Sequence, residues 1–329
     1  MQTITTTRWI DEKNSDLAFV ETQLLASHPD ETGGSSTSYI NWNIQKEFDK
    51  DKQITLNGKT IEYNFYTYSV DQISSSMQAD EDMAIKKTGF IIPYISSGRL
   101  RYIISRNSGA QAILRKMLFY SGKGEIVKNE LPLTGDFFIW LIHKVYSGNN
   151  TIESESDSLA DLTIDYVRGF KGNTEDMLTR VSAVGESVMN IISTLSFLLE
   201  SQNLNQITLD IAYREHSNIE VTLSNRNTVA TTEERYLGAL ISEGCSAPEL
   251  ISTILLTLYI EVLPILIQSY QSEIDSNLWG QGKCVDFLKQ VANDLSEKVT
   301  RRVEDLEQRP EQLKMPFDGN VLLDRDSQS

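Results

Sequence analysis

Two periodicities alternate along this chain, and their order sets the expected architecture. Within residues 52–70, Ile54, Leu56, Ile61, Tyr63 and Phe65 recur at the two-residue spacing of half-buried strands. Asn57-Gly58 falls between the two runs. Both residues of a two-residue hairpin turn need positive φ, so this pair marks a β-hairpin. The Gly/Ser/Thr-rich run Thr32–Ser38 reads as a loop, and the polar, acidic Ser74–Asp82 as a linker.

Further on, GFIIPYI and RLRYIISR read as strands joined by Ser96-Ser97-Gly98. The spacing of Ala110, Ile113, Leu114, Met117 and Leu118 then predicts a helix, with Ser108 and Gln111 as its capping box. DFFIWLIHKVY predicts a second helix ending at Gly148. A strand Leu162–Phe170, a turn at Lys171-Gly172-Asn173 and a returning strand Met177–Val184 follow. A helix Ser187–Glu200 precedes a hairpin made of QITLDIAY and NIEVTLSN. Strand pairs interleaved with single helices favour an α+β fold with mainly antiparallel pairing.

The C-terminal part reads as helical. Leu250–Gln268 is almost continuously apolar and nearly long enough to span a bilayer. Glu261 and Pro264 interrupt it and no Lys/Arg cluster flanks it, so a buried core helix is the expectation and no membrane partner follows. From Cys284 to Leu306 an apolar residue recurs every three or four positions, opposite a charged face. Such a stripe packs on its own domain or pairs two chains, which leaves a homodimer through this helix open. The expected layout is a β-rich N-terminal domain with linker (1–83), an α+β central domain (84–240), a helical C-terminal region (241–307) and an acidic tail (308–329).

Charge changes this picture in one place. The 329 residues carry 46 Asp and Glu against 30 Lys and Arg, a net charge of −16, which disfavours indiscriminate contact with nucleic acid or anionic membranes. Yet between Ala84 and Lys128 stand Lys86, Lys87, Arg99, Arg101, Arg106, Arg115, Lys116, Lys123 and Lys128 against Glu125 alone. A local field of this kind recruits polyanions. Arg99 and Arg101, two apart on a strand, share a face. Arg106 and Ser108 precede a helix start, where free N–H groups favour anions. Arg115 and Lys116 lie off the apolar stripe of that helix, and Lys123 follows it. Tyr94, Tyr102, Phe119 and Tyr120 are interleaved and suit base stacking if exposed. The competing reading ties the arginines to nearby carboxylates and places the aromatics in the core.

Catalytic signals are sparse. Ser121-Gly122-Lys123-Gly124 lacks the spacing of a phosphate-binding loop, and the glycines of Arg168–Gly172 suit a hairpin. Glu153, Glu155, Asp157, Asp161 and Asp165 offer oxygen ligands without a recognisable calcium-loop pattern, and the serines among them favour a solvated loop. Of His28, His143 and His216, the last is best placed for base catalysis, beside Glu215, but no nucleophile signature accompanies it. Cys245 and Cys284 fit neither a zinc spacing nor a disulfide framework, and a reducing cytoplasmic setting is the default. No cofactor is expected. The expected function is non-enzymatic binding of nucleic acid or another polyanion, with an acidic protein as the other partner class. The alternatives are a structural or regulatory subunit of an assembly and a metal-dependent phosphodiester enzyme. A regulatory or defence role in a prokaryotic or phage locus is compatible with so plain a chain, although no residue argues for it.

Overall fold

The computed structural model describes residues 3–30, 37–74, 84–106, 108–122, 124–153, 162–173, 180–184, 198–199, 203–242 and 244–308. Among them fifteen strands join in one antiparallel network with helices on its faces, the α+β fold expected from the sequence. Strand β1 (Thr3–Asp11) is its hinge. Thr3–Thr6 pair with β14 (Thr228–Thr232), while Thr7–Ile10 pair with β7 (Arg99–Ile104). Beyond β14 the order is β13 (His216–Ser224), β12 (Asn203–Tyr213), β10 (Leu162–Asn173) and β11 (Arg180–Val184). Beyond β7 comes β6 (Ile85–Ser96), which pairs with β4 (Lys59–Tyr63) and with β5 (Tyr66–Ser74). β3 (Lys52–Leu56) completes the Asn57-Gly58 hairpin with β4, and both turn residues have positive φ, 50° and 66°.

Alternation along the strands sorts side chains into two cores. Leu100, Tyr102 and Ile104 of β7 join Trp9 and Ile91 in one, roofed by α1 (Leu17–Leu24) and α2 (Ala110–Met117). Ile103, with Ile92 and Tyr94 of β6, faces the other way. That second, larger core packs against α3 (Gly135–Tyr146), α5 (Ala247–Thr257) and α6 (Leu263–Asp275); the single turn Ala239–Ser242 is α4.

A π-helical turn, Leu258–Val262, joins α5 to α6. Leu263 N–H reaches back five residues to Leu258 O, and Pro264 has no N–H to offer Ile260 O. Two helix carbonyls therefore need outside donors. Arg8 Nη1 donates to Tyr259 O at 2.8 Å, and Asn57 Nδ2 donates to Ile260 O at 2.9 Å. By length and composition Ala247–Asp275 is apolar enough to cross a membrane, but 67% of its most apolar window is buried within the fold. That burial fits the core-helix expectation.

The apolar stripe on the last helix, α7 (Gln281–Glu307), is only partly used. Phe287 and Val291 are buried, with Phe287 against His143 and Tyr146 of α3. Val299, Val303 and Leu306 are 46%, 48% and 52% exposed.

Two local expectations are corrected. Helix α2 starts from Gly109, at φ 67°, with no side-chain cap, and Gln111 Nε2 instead donates to Ile126 O at 2.8 Å. A left-handed glycine already turns the chain into the helix, which frees Gln111 to hold β8 (Ile126–Lys128). Strand β10 continues through Lys171, Gly172 and Asn173, with Asn173 opposite Arg180, so these three residues are paired strand and not the expected turn. The expected helix Ser187–Glu200 falls outside the described residues except for Leu198 and Leu199, and most of the tail falls outside them too.

Candidate functional site

Register decides which members of the basic island meet. Ile10 lies opposite Arg101 and Arg8 opposite Ile103. Paired residues point to the same side of a sheet, so Arg8, Arg99 and Arg101 share the face to which Ile103 belongs. Arg99 is exposed, with one acid, Glu12, at 3.9 Å, also exposed. An ion pair this long and this solvated is worth about 0–1 kcal/mol. Arg101 is half-buried and donates to Ser96 O. Burial, with the charges of Arg8 and Arg99 partly offset by Tyr94, pulls its pKa below the ordinary arginine value. Arg8 stacks over the Tyr259 ring at 5.1 Å while capping the π turn.

The rest of the island is elsewhere. Helix α2 covers the opposite face of the sheet, so Arg115 and Lys116 are separated from Arg99 and Arg101 by the sheet itself. Arg115 Nη2 donates to Ser121 O at 2.9 Å, and Lys116 is exposed. Arg106 lies five residues beyond Arg101, about 17 Å along an extended chain. Its Nε donates to Ser108 O at 3.1 Å, and exposed Ser108 caps nothing with its side chain. Lys86 and Lys87 sit at the far end of β6, and Lys86 is in register with Asp71. Lys128 Nζ donates to Arg226 O at 2.7 Å. Lys123 lies outside the described residues. A run contiguous in sequence is thus divided by a two-sided sheet. Its coherent part is Arg99 with Arg101, joined by Arg8 from 91 positions upstream of Arg99. Arg8 escaped the sequence reading because only strand register brings it there, although its polar position in the alternating TITTTRWID run was visible.

The aromatic interleaving belongs mostly to the core. Tyr94 and Tyr102 are fully buried and Tyr120 nearly so; Phe119 is exposed and stacks on His28 at 4.7 Å between centroids. Tyr102 and Tyr120 both donate to buried Asp11 Oδ2, at 2.8 and 2.7 Å. The Ser121–Gly124 loop carries its own anion. Gly122 N–H donates to Glu125 Oε1 at 2.8 Å, and backbone donors hold that carboxyl below the usual range. The Gly122 amide is therefore occupied from within the loop's own segment.

His216 is buried, with Nδ1 2.8 Å from Tyr236 Oη and Nε2 3.9 Å from Glu215, and burial depresses its pKa. His143 is likewise depressed by burial. His28 Nε2 is 3.0 Å from Met117 O. Of the acidic group, Glu155, Asp157 and Asp161 lie outside the described residues; Asp165 is raised by burial and by Asp210. Among the described residues no three His, Cys, Asp or Glu side chains are grouped to hold a metal ion. Cys245 and Cys284 are in no disulfide. The sheet carries an ion network in which Arg168 contacts Asp210 and Glu220, and Arg235 reaches Glu220 at 3.1 Å. Arg168 therefore serves the sheet and not a phosphate cradle. No known family model matches this chain, and no curated protein is detectably similar to it.

Proposed function

We propose that this chain is a non-enzymatic, cytoplasmic binding protein that takes up nucleic-acid backbone at Arg8, Arg99 and Arg101. The observation that carries the reading is three guanidinium groups held on one face of two paired strands, against one loosely placed acid. Like charges gathered this way repel one another, and a bound phosphate relieves the repulsion while accepting forked hydrogen bonds. The acidity of the rest of the molecule confines contact to that face. Two cysteines outside any disulfide are compatible with a reducing compartment. Three phosphate contacts imply a slope of log affinity against log salt of about −2 to −3, by ~0.7 to 0.9 per contact. Fluorescence polarisation with single- and double-stranded oligonucleotides over a salt series tests this. A slope of about −6 would instead require the whole island to participate.

A second reading, a subunit of a protein assembly, is favoured by Val299, Val303 and Leu306. Beside them lie Glu297, Lys298, Arg301, Arg302, Glu304 and Asp305, a mixed-sign flank suited to a second copy of the same helix. Light scattering on the intact chain tests it directly.

A further inference from the structure

We propose that the free end of α7 pairs two copies of this chain in parallel and in register, with Arg302 of each copy against Glu307 of the other. This rests on the second reading above, in which a second copy covers the stripe, and it fixes the direction of that copy. From Val299 onward every residue of α7 is exposed, and among the described residues the last α7 side chain packed on the core is Leu295. The nine positions Val299–Glu307 make about two and a half turns. Val299, Thr300 and Val303 among them are β-branched and weaken a helix, and the exposed Arg301–Glu297 pair at 3.1 Å adds little to it. A helical end this short and this poor in propensity needs packing from outside to stay formed.

The residues on and beside the stripe select the orientation. Val303 takes heptad position a, and Val299 and Leu306 take position d. A β-branched residue at a followed by Leu at d favours two parallel strands. Arg302 then falls at g and Glu307 at the following e, on opposite flanks of the stripe. In a parallel pair each g position faces the following e of the other helix, so two-fold symmetry creates two Arg302–Glu307 contacts. An antiparallel pair centred on the same stripe sets g against g, and hence Arg302 against its own copy. The flanking charges are thus complementary in one direction and repulsive in the other. Arg301, at f, points away from the seam in both.

Sedimentation equilibrium of the full chain over a concentration series at low ionic strength tests the proposal. The native chain is expected to dimerise reversibly. Arg302→Glu and Glu307→Arg should each weaken the dimer at least about fivefold, since both contacts turn from attraction to repulsion. An equimolar mixture of these two variants should return to within about twofold of the native chain, because every contact in the mixed dimer joins opposite charges. Arg301→Glu, with the same change in net charge as Arg302→Glu, should stay within about twofold. Single variants that dimerise as the native chain does, a mixture that fails to recover, or an equal loss in Arg301→Glu would overturn the parallel register alone. A native chain that stays monomeric, the outcome if residues 309–329 are the stripe's occupant, or a dimer indifferent to Val303→Glu, would overturn the second reading together with it.

Discussion

Asn57 donates its backbone N–H to Glu261 Oε1 at 2.6 Å, linking a hairpin tip to a helix 204 positions away in sequence. The same residue's side chain caps Ile260 O at 2.9 Å. One turn residue therefore satisfies both a helix carbonyl left open before Pro264 and a buried carboxylate of the π turn. Asn57→Gly keeps the left-handed turn and loses only the side-chain bond, at an expected cost of about 1 kcal/mol. Asn57→Ala also strains the backbone at φ 50° and should cost about 2 kcal/mol. Urea unfolding of both variants checks the order; equal stability would remove Asn57 from this role.

Asp11 fastens the other end of β1. It accepts from the hydroxyls of Tyr102 and Tyr120 and from the backbone N–H groups of Lys13 and Asn14. Tyr102 is fully buried, so Asp11→Ala strands its hydroxyl. A loss of about 3 kcal/mol is expected, measured as a lower denaturation midpoint with unchanged slope.

Acid should destabilise the fold before the carboxylates titrate. His143 and His216 are held below their ordinary 6.5, chiefly by burial. As pH falls through that value the unfolded chain takes up protons first, so their contribution is complete above it and lost below. Asp165, raised by burial, acts with the opposite sign, within the carboxylate range. Stability should therefore fall as pH drops below about 7.5, through the ordinary histidine range, and His143→Phe should flatten that slope.

The exposed end of α7 predicts a separation of folding from assembly. Val303→Glu and Leu306→Glu change residues that bury no core, so monomer stability should shift by less than about 0.5 kcal/mol. If two copies pair through this stripe, light scattering should show the mass of the variants halved relative to the native chain at equal concentration.

Much of this fold was legible because local rules agreed with the tertiary outcome. The Asn57-Gly58 hairpin, the β6–β7 pair and helix α3 each carried its own period and its own turn or cap. The start of α2 was misread because a left-handed glycine and a serine–glutamine pair compete for the same position, and only packing against β8 decides between them. The end of β10 was misread because Gly172 suits a turn and also a buried strand position. The candidate site was less legible for a topological reason. Sequence proximity joined Arg101 to Arg115, whereas the sheet sets them on opposite faces and brings Arg8 across to Arg101. Glu261 showed only as an interruption in an apolar run, since its partners Asn57 and Arg214 reach it from hairpins distant in sequence.

The account turns on which face of the sheet is the cationic one that matters. The direct measurement is nucleic-acid affinity, by fluorescence polarisation, of Arg99→Ala/Arg101→Ala beside Arg115→Ala/Lys116→Ala. Loss of about tenfold or more in the first pair, with the second within about twofold of the native chain, is the predicted result. Equal losses in both pairs, a larger loss in the second, or no binding by the native chain would contradict it.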